Sequence, residues 1–200
     1  MGEILIPETV KAIGVRAFED CKSMKTFVFP SEITVIKEYC FFACINLESV
    51  TLSDSLETIE RCAFGGCRNL KKIAFPETVK TIGFGAFQGC PLEELNLPEN
   101  LEIIEAMAFC HTKIERLTIP GEVKVIGRKA FVDCFNLKTI EFEGVDVECD
   151  NAAFVISTDA EGHCRKMPLD AVIVPKGTKS YFDVKLPHYK DIIVEREHEI

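Results

Sequence analysis

The sequence predicts a β-rich repeat solenoid, and three observations predict it. The stretch PETVKAIGVRAFEDC at 7–21 returns almost unchanged at 76–90 as PETVKTIGFGAFQGC. The same slot recurs, with drift, at Pro7, Pro30, Ser53, Pro76, Pro98, Pro120 and Glu143, in steps of 23, 23, 23, 22, 22 and 23 residues. A phenylalanine stands at one position of every unit: Phe18, Phe41, Phe64, Phe87, Phe109, Phe131 and Phe154. A unit this short cannot bury its own apolar face, so it must stack on copies of itself.

Each unit divides into parts with separate physical tasks. Ile13, Ile36, Ile59, Ile82, Ile104, Ile126 and Cys149 occupy an apolar slot five residues before the phenylalanine. Stacking of the units puts the rings in register, which predicts a continuous aromatic spine worth roughly 0.5–1.5 kcal/mol per ring pair beyond area burial. The residue before each ring is small: Ala17, Cys40, Ala63, Ala86, Ala108, Ala130 and Ala153. Small side chains there predict a close approach of the next coil's backbone. The second half of the unit reads L-x-x-I-x-F, and its last pairs alternate with period two, as in Phe27/Phe29, Ile73/Phe75 and Leu117/Ile119. That is a strand with one buried face. Strands repeating at this interval should stack as a parallel ladder about 4.8 Å apart, ended by a proline that has no N–H to donate. The two 22-residue steps arise because Cys90 and Thr112 precede the strand's first apolar residue by two positions, where other units use three.

The unit I-G-x-x-A-F-x-x-C-x-x-L-x-x-I-x-L-P resembles the BspA-type leucine-rich repeat over residues 1–154 and again from Leu169, with Val172, Val174 and Pro175 in the strand and proline slots. The closing PKGTKSYFDVKLPHYKDIIVE at 175–195 resembles that family's terminal cap. The resemblance implies a leucine-rich-repeat right-handed coil of about eight 22–23-residue units with a C-terminal cap. It also implies a noncatalytic surface or secreted module that binds host proteins, other cells or glycans. The expected organisation is one domain over 1–200: regular repeats at 1–156, an insertion at 157–168, and the last repeat and cap at 169–200. Within the cap, Tyr181, Phe182, Leu186, Tyr189, Ile192 and Ile193 are expected to cover the open end, with a short helix over 180–185.

Twenty-three basic against 32 acidic residues give a net charge of −9, which argues against a nucleic-acid partner, since that needs a basic footprint. No apolar run approaches the roughly 18–20 residues of a membrane span. Met1 falls in the leucine slot, so the sequence starts inside a repeat without a polar cap. This implies a fragment or trimmed chain, or an end covered by another subunit, and it leaves the compartment open. Free thiols favour a reducing, cytoplasmic setting, whereas the resemblance points to the cell surface.

Ten cysteines suggest chemistry, yet Cys21, Cys44, Cys67, Cys90 and Cys134 share one slot that Thr112 and Ser157 fill elsewhere. Such a slot asks for a small side chain with a modest donor, and buried free cysteine behaves that way. In-register rungs hold side chains too far apart for disulfides, and a line of thiols does not make a zinc tetrahedron. Cys40 and Cys149 fall in core slots, whereas Cys62 and Cys110 fall at intermediate positions where partial exposure is expected. Asp159, Glu161, His163 and Cys164 form the one dense group of possible ligands, in the insertion. Its metal-site or reactive-thiol reading stands against that of a polar loop, because the ligand set is incomplete. No cofactor is implied.

The candidate binding face is the outward side of the strands. One column runs Glu3, Thr26, Ser49, Lys72, Glu94, Arg116 and Thr139; the second includes Leu5, Val28, Thr51, Ala74, Asn96, Thr118 and Glu141. An unknown protein or glycan is the expected partner. The alternatives are a structural module that self-associates through its first coil and, more distantly, an enzyme built on His163 and Cys164.

Overall fold

The computed structural model describes residue 4 and residues 6–156 and 165–196. The chain winds a β-solenoid of about seven turns with repeats of about 23 residues. Each turn has three hydrogen-bonded walls around the apolar core.

The first wall is the predicted strand ladder. Thr26–Val28 pairs in parallel with Ser49–Thr51. Further along, Arg116–Ile119, Thr139–Phe142, Ala171–Val174 and Ile193–Glu195 form a four-stranded parallel sheet. The ladder is not continuous: residues 72–75 and 94–97 keep the same place in the repeat but form no strand.

The second wall was not anticipated. Two-residue strands at Val35–Ile36, Thr58–Ile59, Thr81–Ile82, Ile103–Ile104, Val125–Ile126 and Glu148–Cys149 stack without interruption into a six-stranded parallel sheet. Their isoleucines, placed from sequence in the apolar slot, are at most 1% exposed.

The third wall carries the spine. The Phe41 amide donates to the Ala63 carbonyl at 2.7 Å, Phe64 to Ala86 at 2.8 Å and Phe87 to Ala108 at 2.8 Å, so the residue before each ring is the one the neighbouring backbone touches. Rings stack at centroid distances of 5.1 Å for Phe18–Phe41, 5.3 Å for Phe41–Phe64 and Phe64–Phe87, 5.5 Å for Phe87–Phe109, 5.4 Å for Phe109–Phe131 and 5.2 Å for Phe131–Phe154. The turn after each of the first six rings needs a left-handed residue, filled by Asp20, Ala43, Gly66, Gly89, His111 and Asp133 at φ between 57° and 75°. This conformation is costly for non-glycine residues, and the wall holds them in it: the Ala43 amide donates to Gly65 at 2.8 Å and the His111 amide to Val132 at 3.0 Å.

The thiols of the shared slot find acceptors on the preceding rung. Cys44 donates to the Phe18 carbonyl at 3.0 Å, Cys67 to Phe41 at 3.2 Å, Cys90 to Phe64 at 3.1 Å and Cys134 to Phe109 at 3.3 Å. The nine described cysteines are free thiols. Cys62 and Cys110, expected to be partly exposed, are buried at 7% and 1%. The Cys110 side chain packs with Val132 and Val155 in a small satellite cluster, which is why its intermediate slot does not expose it.

At the C-terminal end, Lys179–Lys185 is helical and buries Phe182. Leu186, Tyr189 and Ile193 are buried, and the Tyr189 hydroxyl donates to the Phe154 carbonyl and accepts from the Met167 amide at 2.7 Å. The cap also adds a rung of its own, because Ile193–Glu195 pairs with Ala171–Val174. At the edges of the insertion, Val155–Ile156 pairs antiparallel with Arg165–Lys166. His163, Cys164, Asp159 and Glu161 lie outside the described residues.

Candidate binding face

The break in the strand ladder has a local cause in the sequence. Outward positions on the two unpaired rungs are Lys72, Ala74, Glu94 and Asn96, all residue types depleted in strands. The flanking rungs carry Thr26/Val28, Ser49/Thr51, Arg116/Thr118 and Thr139/Glu141. The turns differ too. In 23-residue units an asparagine side chain reaches the neighbouring turn: Asn46 donates to the Lys22 carbonyl at 2.7 Å, Asn136 to Lys113 at 3.4 Å and Asn69, before the unpaired rung at 72–75, to the Asn46 side chain at 3.4 Å. Residues 90–92 and 112–114 are one residue shorter and carry no such asparagine.

The backbone hydrogen bonds follow the outward residues rather than the turn length. Entry to a paired rung is marked by Glu48 N–H to Lys25 at 2.7 Å and by Lys138 N–H to Glu115 at 2.9 Å. No backbone hydrogen bond joins 48–52 to 71–75. Between 71–75 and 93–97 there is one, Glu93 N–H to Lys71 at 3.0 Å. The next junction holds only Lys113 N–H to Leu92 at 2.8 Å, two residues before the usual place.

Loss of pairing uncovers the apolar layer beneath. Phe29, Leu52, Ile119 and Phe142 are buried, at 4%, 9%, 1% and 1% exposure, whereas Phe75 and Leu97 in the same slot are half-buried. Two adjoining grooves result. One of about 960 Å³ spans three rungs over Val50, Ile73, Ala74 and Phe75. The other, of about 750 Å³, continues past Leu95 to Arg116 and Thr118. They share Glu94, Asn96 and Leu97.

Of the face predicted from sequence, Ser49, Lys72, Glu94, Asn96, Arg116 and Thr118 line these grooves. Thr26 and Thr51 are exposed but lie outside them, and Glu3 and Leu5 are beyond the described residues. Thr139 and Glu141 are half-buried, because the Ala171–Val174 rung of the last repeat lies beside them and Arg196 pairs with Glu141 at 2.5 Å. Ala74, also placed on the outward side from sequence, lines the first groove; sequence reasoning missed Phe75 and Leu97 as the apolar floor. Charges on the face are partly neutralised along the columns: Lys72 meets Glu94 and Lys71 meets Glu93, each at 3.0 Å. The Lys71 ammonium, by hydrogen bond first and by charge second, holds the Glu93 carboxyl below its ordinary value.

The thiols are poor candidates for chemistry. Burial pushes Cys40, Cys44, Cys110 and Cys149 up to about 12 and Cys134 up to about 11. Cys67 is raised by the adjacent Cys90 thiol and by burial. Nucleophilic and metal-binding cysteines need the opposite shift. Among the described residues no group of His, Cys, Asp and Glu is arranged to hold a metal ion, and no helix is long and apolar enough to cross a membrane.

Residues 1–109 and 35–160 match the model of the BspA type leucine rich repeat region, in six copies. Two solved structures are similar over most of the chain. A leucine-rich repeat protein from Bacteroides ovatus shares 27% identity, with a TM-score of 0.62 over 82% of this chain and 46% of its own. A leucine rich cell surface protein from Faecalibacterium prausnitzii shares 29%, with a TM-score of 0.66 over 84% of this chain and 53% of its own. The chain thus spans about half the length of these two relatives. No curated protein matches it significantly.

Proposed function

The chain belongs to the BspA-type leucine-rich repeat family, and from that premise we propose that it is a noncatalytic binding module of a surface protein, engaging its partner on the opened part of the strand ladder. One observation carries this reading. Ser49, Lys72, Ala74, Glu94, Asn96, Arg116 and Thr118 of the outward columns line two joined grooves where the ladder loses its pairing and its apolar floor is uncovered. Solenoids of this class use extended faces of this kind for recognition, and an apolar floor with a polar rim is the usual anatomy of a recognition site. The cell-surface relative supports the location. We take 1–200 as one unit, with the cap closing its C-terminal end.

The test is capture of host-cell surface proteins and glycans on the immobilised chain, beside an Ala74→Trp/Thr118→Trp double variant that fills both grooves. Saturable capture by the wild type, reduced about tenfold or more by the double variant, is the expected result. Equal capture by both moves the function off this face.

A second reading has its own observation. In the first coil Ile6, Val10, Phe18 and Cys21 are half-buried, while the later spine phenylalanines are at most 1% exposed. That end therefore offers an apolar surface to another solenoid unit. Concentration-dependent dimers in light scattering, abolished by Ile6→Asp, would support self-association through it; a monomer at all concentrations removes it.

A further inference from the structure

The two grooves have a charge character that narrows the partner. This inference rests on the binding reading above and adds the occupant. Seven carboxylates and four cationic side chains line the pair. Glu93 and Glu94 are paired with Lys71 and Lys72, and Glu48 with Lys25 at 3.3 Å. Glu77, Glu99, Glu115 and Glu143 have no ion pair among the described residues and are exposed. Three of them, Glu77, Glu99 and Glu143, stand immediately past the C-terminal end of the rungs, along one edge of the trough. Glu99 and Glu77 are drawn together by the Glu99 amide, which donates to the Glu77 carboxylate at 2.8 Å. The next hollow beyond this edge adds Glu57, Glu102 and Glu122 against Lys80 alone. The trough is therefore apolar along its floor and acidic along one rim.

The floor separates a polypeptide from a glycan. Val50, Ile73, Phe75, Leu95 and Leu97 present aliphatic surface and one half-buried ring. A sugar face asks for an exposed flat aromatic, whereas this floor suits Leu-, Ile- or Phe-type side chains. Backbone hydrogen bonds are also missing from both rungs, which leaves amides and carbonyls without rung partners beside the floor. An extended peptide laid along the trough can seat alternate side chains in the two grooves.

We propose that the opened rungs at 72–75 and 94–97 bind an extended basic segment of a partner protein, with apolar side chains seated over Phe75 and Leu97 and Lys or Arg side chains along the Glu77–Glu99–Glu143 rim. Lys72 and Arg116 then act against binding rather than for it, because Lys72 neutralises Glu94 and both place positive charge on the face that a basic segment must approach. This sign is unusual for an exposed cation on a binding face and makes the proposal testable.

The experiment selects a random dodecapeptide display library on the full chain and measures synthetic winners by fluorescence anisotropy. The winners should carry net positive charge with apolar residues at alternate positions. Their affinity should fall about tenfold or more on Glu99→Lys/Glu143→Lys and on Ala74→Trp, and should rise several-fold on Arg116→Glu. Thermal unfolding should show no loss of stability in any variant, since all four positions are exposed. Neutral or acidic winners, affinities indifferent to the rim charges, weaker binding by Arg116→Glu, or an empty selection would overturn the assignment. So would a purely glycan partner in the capture experiment. Capture that depends on Ala74 and Thr118 but not on the rim charges sinks this inference and leaves the binding module standing. Capture indifferent to the filled grooves sinks both.

Discussion

Two walls of the same coils behave differently. The two-residue strands from Val35–Ile36 to Glu148–Cys149 pair without a gap, while the longer strands across the core stop pairing at 72–75 and 94–97. Both walls share one repeat and one spine, so neither topology nor core packing explains the difference. The short wall buries isoleucine on every rung from 36 to 126, and its pairing is set by that burial. The long wall shows half its residues to water, so its pairing depends on what stands outward. Lys72, Ala74, Glu94 and Asn96 are weak strand formers, and there the ladder opens. A solenoid can thus release one wall locally while the opposite wall holds the coils in register.

The largest effect should come from breaking what both walls share. Phe87 is fully buried between Phe64 and Phe109, so Phe87→Ala should cost about 3–5 kcal/mol in urea unfolding and loosen both walls together. A loss below about 1 kcal/mol would mean that the coils are not held by the spine.

A smaller effect concerns the buried thiols, which belong to the closed parts of the coil. Cys44 and Cys110 are raised to about 12 and Cys134 to about 11, all by burial. The unfolded thiol ionises near 8.5, roughly the value of a free cysteine, so the folded state binds the proton more tightly. Stability is therefore full below about pH 8.5 and falls as pH rises toward 12, by up to about 1.4 kcal/mol per pH unit for each thiol. Cys44→Thr copies the residue that Thr112 already places in that slot, and it should make the alkaline decline shallower. An unchanged slope in pH-dependent denaturation would contradict the burial of Cys44.

Much of this was legible in the sequence. The period, the spine and the small residue before each ring follow from residue spacing alone, because stacking makes every slot repeat its environment; the cap was legible from its resemblance to a family cap and its apolar residues. The short wall escaped notice because strands of two residues, such as Thr58–Ile59, are too brief to show alternation. The opening of the long wall escaped for a different reason. Ile73/Phe75 and Leu95/Leu97 keep the inward pattern of a strand, and that pattern does not report whether the backbone pairs. The signal lay in the outward residues Lys72, Ala74, Glu94 and Asn96. Within the candidate face, Thr139 and Glu141 look no different in sequence from the exposed positions. Their cover comes from a rung supplied by the insertion's far side and from Arg196 in the cap.

The comparison can also be sharpened by closing the gap. Lys72→Thr/Ala74→Val/Glu94→Thr/Asn96→Thr gives the open rungs the outward residues of their neighbours. It should raise stability by about 1–2 kcal/mol and weaken partner binding. Unchanged stability would mean that something other than outward strand preference holds the rungs apart.

The most direct measurement is residue-resolved amide hydrogen exchange on the free chain. The account predicts fast exchange at 72–75 and 94–97, and slow exchange at Leu117, Ile119 and Ile140–Phe142 in the paired ladder and at Ile59, Ile82 and Ile104 in the short wall. Equal protection of the 72–75 and 94–97 amides and of the paired rungs would contradict an opened ladder, and with it the site built upon that opening.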